Sequence, residues 1–202
     1  MYLPLVLRNF GTMLYDDFNN PIFNGTYDSS KWSYSGLLGY FTVKQQSNAL
    51  VFTNTNLPGP TGADMIMLQP GQRTLRQLQQ FEARLKVSSA HVGGYAFVKL
   101  QIWSDNIAGH GWFTQCRLGA SSPGSQPQFL CDVVNYSGGT MNFEYTSSGV
   151  AASYDTWYTA RIEADPSIAQ LRFYLNGSLV GTYTPTDALY LLTASNLQPQ
   201  VG

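Results

Sequence analysis

The segment from Trp157 to Pro185, WYTARIEADPSIAQLRFYLNGSLVGTYTP, constrains this chain more than any other, because it holds three strand patterns joined by two turn signals. Tyr158, Ala160 and Ile162 form one apolar row, and Leu171, Phe173 and Leu175 form a second. A period of two is what a strand shows when one face is buried and the other meets water. Asp165-Pro166 and Asn176-Gly177 mark the turns. Asn-Gly suits a type I′ hairpin, whose two central residues both need positive φ. The segment therefore reads as antiparallel sheet.

The same grammar extends along the chain. Further strands are predicted at 40–46, 48–54, 64–68, 81–88, 95–103, 111–118, 128–136 and 141–147, besides 157–164, 170–175 and 179–184 in the segment above. Short strands separated by Gly, Pro, Asn and Ser predict an all-β fold, a two-sheet antiparallel sandwich. Gln72 to Gln80, QRTLRQLQQ, is the exception: Leu75 and Leu78 lie three apart and predict a helical turn or two. A length of 202 residues fits a single domain over 1–202, with residues 1–12 reading as a tether or a first strand.

Composition excludes several classes of function. Charged residues make up 11% of the chain, against roughly 25% in typical soluble domains. Aromatics reach 14%. This profile suits an extracellular or cell-surface β protein. With a formal charge of −1 and four lysines, the chain has no basic stripe for nucleic-acid phosphates or anionic lipid heads. No apolar run approaches the ~20 residues needed for membrane insertion as a helix.

Cys116 and Cys131 flank the tip Ser121 to Pro127, SSPGSQP, symmetrically. Folding that hairpin about residues 123 and 124 sets them opposite one another, so a cross-strand disulfide is geometrically available. Two buried free cysteines are the alternative, and neither His91 nor His110 stands at a zinc spacing from them. An extracellular composition favours the disulfide.

That register sorts side chains by face. If 95–103 and 111–118 pair about residue 107, Ala96, Val98, Leu100 and Ile102 share a core face with Trp112, Thr114, Cys116 and Leu118. The other face then carries Tyr95, Phe97, Lys99, Gln101 and Trp103 beside Phe113, Gln115 and Arg117, and the cysteine pairing adds Leu130, Asp132, Val134 and Tyr136. One row is expected to read Lys99, Gln115, Asp132. A bulge near Gly138-Gly139 would exchange the faces of 141–147, burying Phe143 and Tyr145 and exposing Glu144, which otherwise is buried beside Val133. The loop Ser104 to Gly111 would bring Asp105, Asn106 and His110 to the mouth of this face. So many aromatics beside amides and both signs of charge exceed what solubility needs. Cross-strand pair stabilisation and a ligand are the two explanations.

A Trp-opened strand, an Asp-Pro turn and Phe173-Tyr174-Leu175-Asn176-Gly177 resemble the late hairpins of the concanavalin A-like, laminin G-like jelly rolls. Asp17-Phe18, Lys31-Trp32 and Asn48-Ala49-Leu50-Val51-Phe52 are similar to that family's entry strands. The resemblance covers most of the chain and implies a jelly roll. It leaves function open, because the superfamily contains lectins, binding modules, glycosidases and lyases. Its concave sheet is the usual glycan groove, which makes Tyr95, Phe97, Lys99, Gln101, Trp103, Gln115, Arg117, Asp132 and Tyr136 the expected ligand contacts. Rigid aromatics give contact area there, and the polar side chains exchange hydrogen bonds with hydroxyls. The family normally finishes with one more core strand, whereas Asn196 to Gly202, NLQPQVG, reads as the approach to a strand that does not arrive. The C-terminal strand is therefore expected to be missing, and the chain to be part of a larger multidomain protein.

Laminarinase-like members carry their carboxylates on one strand as Glu-x-Asp-x-x-Glu, and no such string occurs here. The glutamates are Glu82, Glu144 and Glu163, so a hydrolytic pair would have to join Asp132 to an exposed Glu144. Lys99-Leu100-Gln101-Ile102-Trp103 resembles the alginate-lyase Gln-Ile-His strand but has Trp103 in place of the histidine. Gln101, Arg117 and Tyr136 would be the lyase candidates. Asp16-Asp17 could hold a structural calcium as family members do, but no metal, cofactor or catalytic residue is assigned. The expected function is a non-catalytic carbohydrate-binding or adhesion module of a secreted or cell-surface protein, with a polysaccharide or glycan as partner. A polysaccharide lyase or glycosidase domain and a structural spacer are the alternatives.

Overall fold

The computed structural model describes residues 2–3, 5–6, 16–36, 41–54, 65–68, 74, 78–89, 96–107, 110–122, 124–137, 140–185 and 197–202. In chain order its strands are Tyr2–Leu3 (β1), Leu5–Val6 (β2), Ser33–Gly36 (β3), Phe41–Gln45 (β4), Leu50–Asn54 (β5), Met65–Leu68 (β6), Gln80–Leu85 (β7) and Ala96–Ile107 (β8). They continue with His110–Ala120 (β9), Gln128–Ser137 (β10), Thr140–Thr146 (β11), Val150–Ala151 (β12), Tyr158–Asp165 (β13), Gln170–Leu175 (β14), Ser178–Tyr183 (β15) and Leu197–Val201 (β16). The described helical element is a single 3₁₀ turn, Pro21–Phe23. No helix among the described residues is long and apolar enough to cross a membrane.

The large sheet runs β11-β10-β9-β8-β16-β6-β3 with β12 beside β10, the second sheet runs β15-β14-β13-β7-β2, and β1-β5-β4 form a small third sheet. All strand pairings are antiparallel. One core joins the first two sheets: Val98, Leu100, Ile102, Leu118, Phe129 and Val133 of the large sheet belong to the same cluster as Phe81, Leu85, Ile162, Leu171 and Phe173 of the second. Alternation produces this directly, since β13 and β14 read half-buried and buried by turns along their length. Burying these side chains is the main force holding the layers together.

The turns follow their residues. Asn176 and Gly177 have φ of 50° and 83°, the two positive values a type I′ hairpin requires. Cys116 and Cys131 lie directly opposite one another on β9 and β10 and are joined by a disulfide, as the symmetry about the tip predicts. Asp16 is committed to structure. One of its carboxylate oxygens accepts from the Trp32 indole at 2.8 Å. The other accepts from the Phe18 N–H at 3.0 Å and stands 3.5 Å from the Lys31 ammonium. Donors and a cation thus occupy the carboxylate that a calcium ion would need.

Several expectations are corrected. Residues 197–201, read as the approach to a strand, form β16 between β8 and β6. Pro199 obscures it, because proline offers no N–H to a ladder; it lies opposite Ile102, and the described pairing with β6 starts only at Gln200. Ser104 to Gly111 is not a free loop. β8 and β9 continue to Ile107 and His110, with a register shift after Ser104, so the connection shrinks to residues 108–109. The helical turn expected over 72–80 lies mostly outside the described residues; there the Leu78 N–H donates to the Thr74 carbonyl, and strand begins at Gln80.

The predicted bulge exists but not at Gly138-Gly139. Val133 pairs with Tyr145 and Val134 with Phe143, leaving Glu144 as the extra residue. Tyr145 therefore faces the core and stacks on Phe173, with ring centroids 5.6 Å apart, while Phe143 is 62% exposed rather than buried. Gly181 makes room for this arrangement, since a Cβ there would collide with the Tyr145 hydroxyl. Glu144 is exposed, as the bulge argument requires.

Candidate functional site

Residues directly opposite in an antiparallel pair share a face, so the register of the large sheet lays out its outer surface. One row crosses five strands as Gln200 (β16), Gln101 (β8), Gln115 (β9), Asp132 (β10) and Thr146 (β11). The adjoining row reads Gln198, Trp103, Phe113, Val134 and Phe143. A line of polar groups thus runs beside a line dominated by aromatic and aliphatic side chains.

The expected row was Lys99, Gln115, Asp132. The observed partner of Gln115 is Gln101, and Lys99 stands opposite Arg117. Two things combine: the strands close at Ile107↔His110, beyond the expected centre at 107, and β8 takes up one extra residue after Ser104, so the net pairing centre moves by one residue and every partner by two. Face membership is unchanged, because a shift of two preserves the alternation.

Hydrogen bonds knit the polar row. Gln101 Nε2 donates to Gln200 Oε1 at 3.0 Å. Asp132 Oδ2 accepts from Arg117 Nε at 2.9 Å and from Gln115 Nε2 at 3.2 Å. Asp132 is 0% exposed, and its Oδ1 has no hydrogen-bond partner. Thr114, on the core side of β9, donates to the Asp132 carbonyl at 3.1 Å and so helps to hold the backbone that carries the carboxylate. In the apolar row Trp103 and Phe113 stack with centroids 5.4 Å apart and planes 11° apart. The Arg117 guanidinium lies 5.7 Å from the Phe97 ring centroid.

The face is not fully solvated. Lys99, Gln101, Asp132 and Phe113 are buried, while Phe97, Trp103, Gln115 and Arg117 are half-buried. Of the nine expected contacts, Phe97, Lys99, Gln101, Trp103, Gln115, Arg117 and Asp132 share this face. Tyr95 lies outside the described residues. Tyr136 continues β10 opposite Gly111, with its side chain outside the described set, as are those of Asp105, Asn106 and His110.

Gln198, Gln200 and Phe143 complete the two rows and were not anticipated. The two glutamines alternate with buried Leu197, Pro199 and Val201, a period-2 signal that the proline masks. Phe143 depends on the bulge at Glu144 for its face.

Glu144 does not join Asp132. Its carboxylate accepts from Asn135 Nδ2 at 3.0 Å and from the Tyr183 hydroxyl of the second sheet, placing it on the core side of β11 at the sandwich edge. Burial, and then this carboxylate, push the Tyr183 hydroxyl well above its ordinary range. The pair that hydrolysis would need is thus split between opposite faces of one sheet. Among the described residues no three His, Cys, Asp or Glu side chains gather as a metal site. The outer face of the second sheet looks different: Arg161 pairs with Glu82 and Glu163, and Arg172 with Asp165, as on an ordinary solvated surface.

No protein-family model and no curated protein matches the chain. Solved structures do. A glycoside hydrolase family 16 endo-glucanase from Bacteroides ovatus superposes with a TM-score of 0.60 at 13% identity, over 92% of this chain and 83% of that one. A β-porphyranase from the human gut bacterium Bacteroides plebeius gives 0.54 at 14% identity, over 92% and 77%. The carbohydrate-binding module CBM66 from Bacillus subtilis gives 0.53 at 11% identity, over 86% and 90%. At such identities the likeness speaks for architecture alone. Together with the antiparallel two-layer topology, it shows that the chain has the concanavalin A-like jelly-roll fold.

Proposed function

We propose that this chain is a non-catalytic glycan-binding module of a secreted or cell-surface protein, and that its ligand lies on the outer face of the large sheet. The observation that carries the reading is the Trp103–Phe113 stack alongside the row Gln200, Gln101, Gln115, Asp132. A sugar ring presents apolar C–H patches and a rim of hydroxyls, and paired aromatic and amide rows meet both. The structural neighbours, a carbohydrate-binding module and glycoside hydrolases, support the same class of ligand. The disulfide suits an oxidising compartment. Tyr95 and Tyr136 are included in the proposed site on the alternation of the sequence.

The enzyme alternatives fit less well. Asp132 is held by Arg117 and Gln115, and Glu144 faces the other way. A lyase would need the Arg117 guanidinium for a substrate carboxylate, but Asp132 engages it.

The test is affinity electrophoresis through gels containing laminarin, mixed-linkage β-glucan, xyloglucan, alginate, pectate or carrageenan. The wild-type chain should be retarded by at least one polymer. Trp103→Ala should remove that retardation, and Arg172→Ala, on the outer face of the second sheet, should keep it. Absence of retardation throughout would favour the spacer reading, and release of unsaturated sugar products would favour a lyase.

A further inference from the structure

We infer that the outer face of the large sheet selects uncharged glycans over sulfated or uronate-rich ones, and that Asp132 is the residue that sets this preference. The inference rests on the glycan-binding reading above. It starts from the charges on the face. Among the described residues the cations on it are Lys99 and Arg117, and the anion is Asp132. Lys99 is only 7% exposed. Arg117 is the more accessible of the two, with a side chain 28% exposed, and Asp132 already neutralises it at 2.9 Å. A ligand sulfate or carboxylate at the other guanidinium nitrogens would share the cation with a buried carboxylate and stand beside its like charge.

The unpartnered oxygen points the same way. Asp132 Oδ1 is buried and accepts nothing, although Oδ2 of the same group accepts twice. A buried acceptor left empty is costly, so this atom marks a place for a donor. A sugar hydroxyl supplies one. A sulfate or uronate oxygen cannot, and it meets the carboxylate with like charge. The amides of Gln101, Gln115 and Gln200 along the same row carry no charge that would offset this repulsion. Hydroxyl recognition and rejection of anions therefore come from one side chain.

The experiment takes the polymers of the electrophoresis panel and adds a matched pair, the neutral polysaccharide that retards the chain most and the same polymer after chemical sulfation. Retardation should be confined to the neutral members. Sulfation should weaken binding by about tenfold or more, as like-charge apposition against a buried carboxylate implies. Asp132→Asn keeps an acceptor but releases Arg117, and should narrow the neutral-over-sulfated ratio by gaining affinity for the sulfated polymer. If that variant does not fold, the wild-type ratio decides alone. Preferential binding of alginate, pectate, carrageenan or the sulfated polymer would overturn the inference while leaving glycan binding intact. An unchanged ratio in folded Asp132→Asn would also overturn it. Failure to bind any polymer would instead remove the underlying reading.

Discussion

Replacing both Cys116 and Cys131 by alanine should lower the thermal midpoint substantially without altering the fold. The two side chains are 0% exposed and bridge a sequence separation of 15. A loop of that length restricts the unfolded chain by about 3 kcal/mol in the chain-entropy model. For a domain of this size, each kcal/mol moves the midpoint by about 2–4 °C, so the expected fall is about 6–12 °C. The backbone ladder of β9 and β10 extends from Gln128↔Gly119 to Ser137↔His110 and does not depend on the sulfurs. Register, and with it the placement of Gln115, Arg117 and Asp132, should survive, leaving glycan affinity near wild type. The double serine variant should fall further, because two hydroxyls would enter a site closed to water, and each unsatisfied one costs about 1–3 kcal/mol. Calorimetry of the oxidised protein and both variants measures the series. Two alkylatable thiols in native, unreduced protein, or a midpoint for the alanine pair within 2 °C of wild type (about 1 kcal/mol or less by the same scaling), would refute the reasoning.

Gly181→Ala should destabilise by about 1–3 kcal/mol, the usual cost of overpacking, because its methyl would strike the Tyr145 hydroxyl; adding Tyr145→Phe should recover part of the loss in a denaturant-unfolding cycle. Alkali should weaken the fold. The hydroxyls of Tyr145, Tyr174 and Tyr183 are all raised above their ordinary value of 10.0, chiefly by burial. Above that pH the folded chain holds protons that the unfolded chain has released, so stability is complete below about pH 10 and declines as pH rises further. Thermal melts from pH 8 to 11.5, followed with tyrosinate absorbance, check the direction.

Much of the fold was legible because its signals are local. Period-2 alternation located β13 and β14, Asn176-Gly177 specified its own hairpin, and the spacing of Cys116 and Cys131 about their tip specified the β9–β10 register. What escaped reading depends on partners distant in sequence. β16 pairs with β8 across a separation of about a hundred residues, and Pro199 argues locally against any strand there. Phe143 and Glu144 cannot be assigned to faces from their own segment, since a single extra residue reverses the alternation on one side of it.

Face and register in the site rest on different signals. Alternation decides which face a side chain occupies, and it did so for Phe97, Lys99, Gln101 and Trp103 because Val98, Leu100 and Ile102 must enter the core. It says nothing about which residue stands opposite. That depends on the hairpin end, where closure at Ile107↔His110 and one extra β8 residue after Ser104 together set Gln101, instead of Lys99, beside Gln115. The chemical consequence is large. With Lys99 in the row, Asp132 would sit in line with a second cation. With Gln101 there, the line from Gln200 to Gln115 is uncharged, and among the described residues Asp132 is ion-paired with Arg117. The register set at a hairpin's end therefore shapes the electrostatics of the surface as much as the identity of the residues that line it.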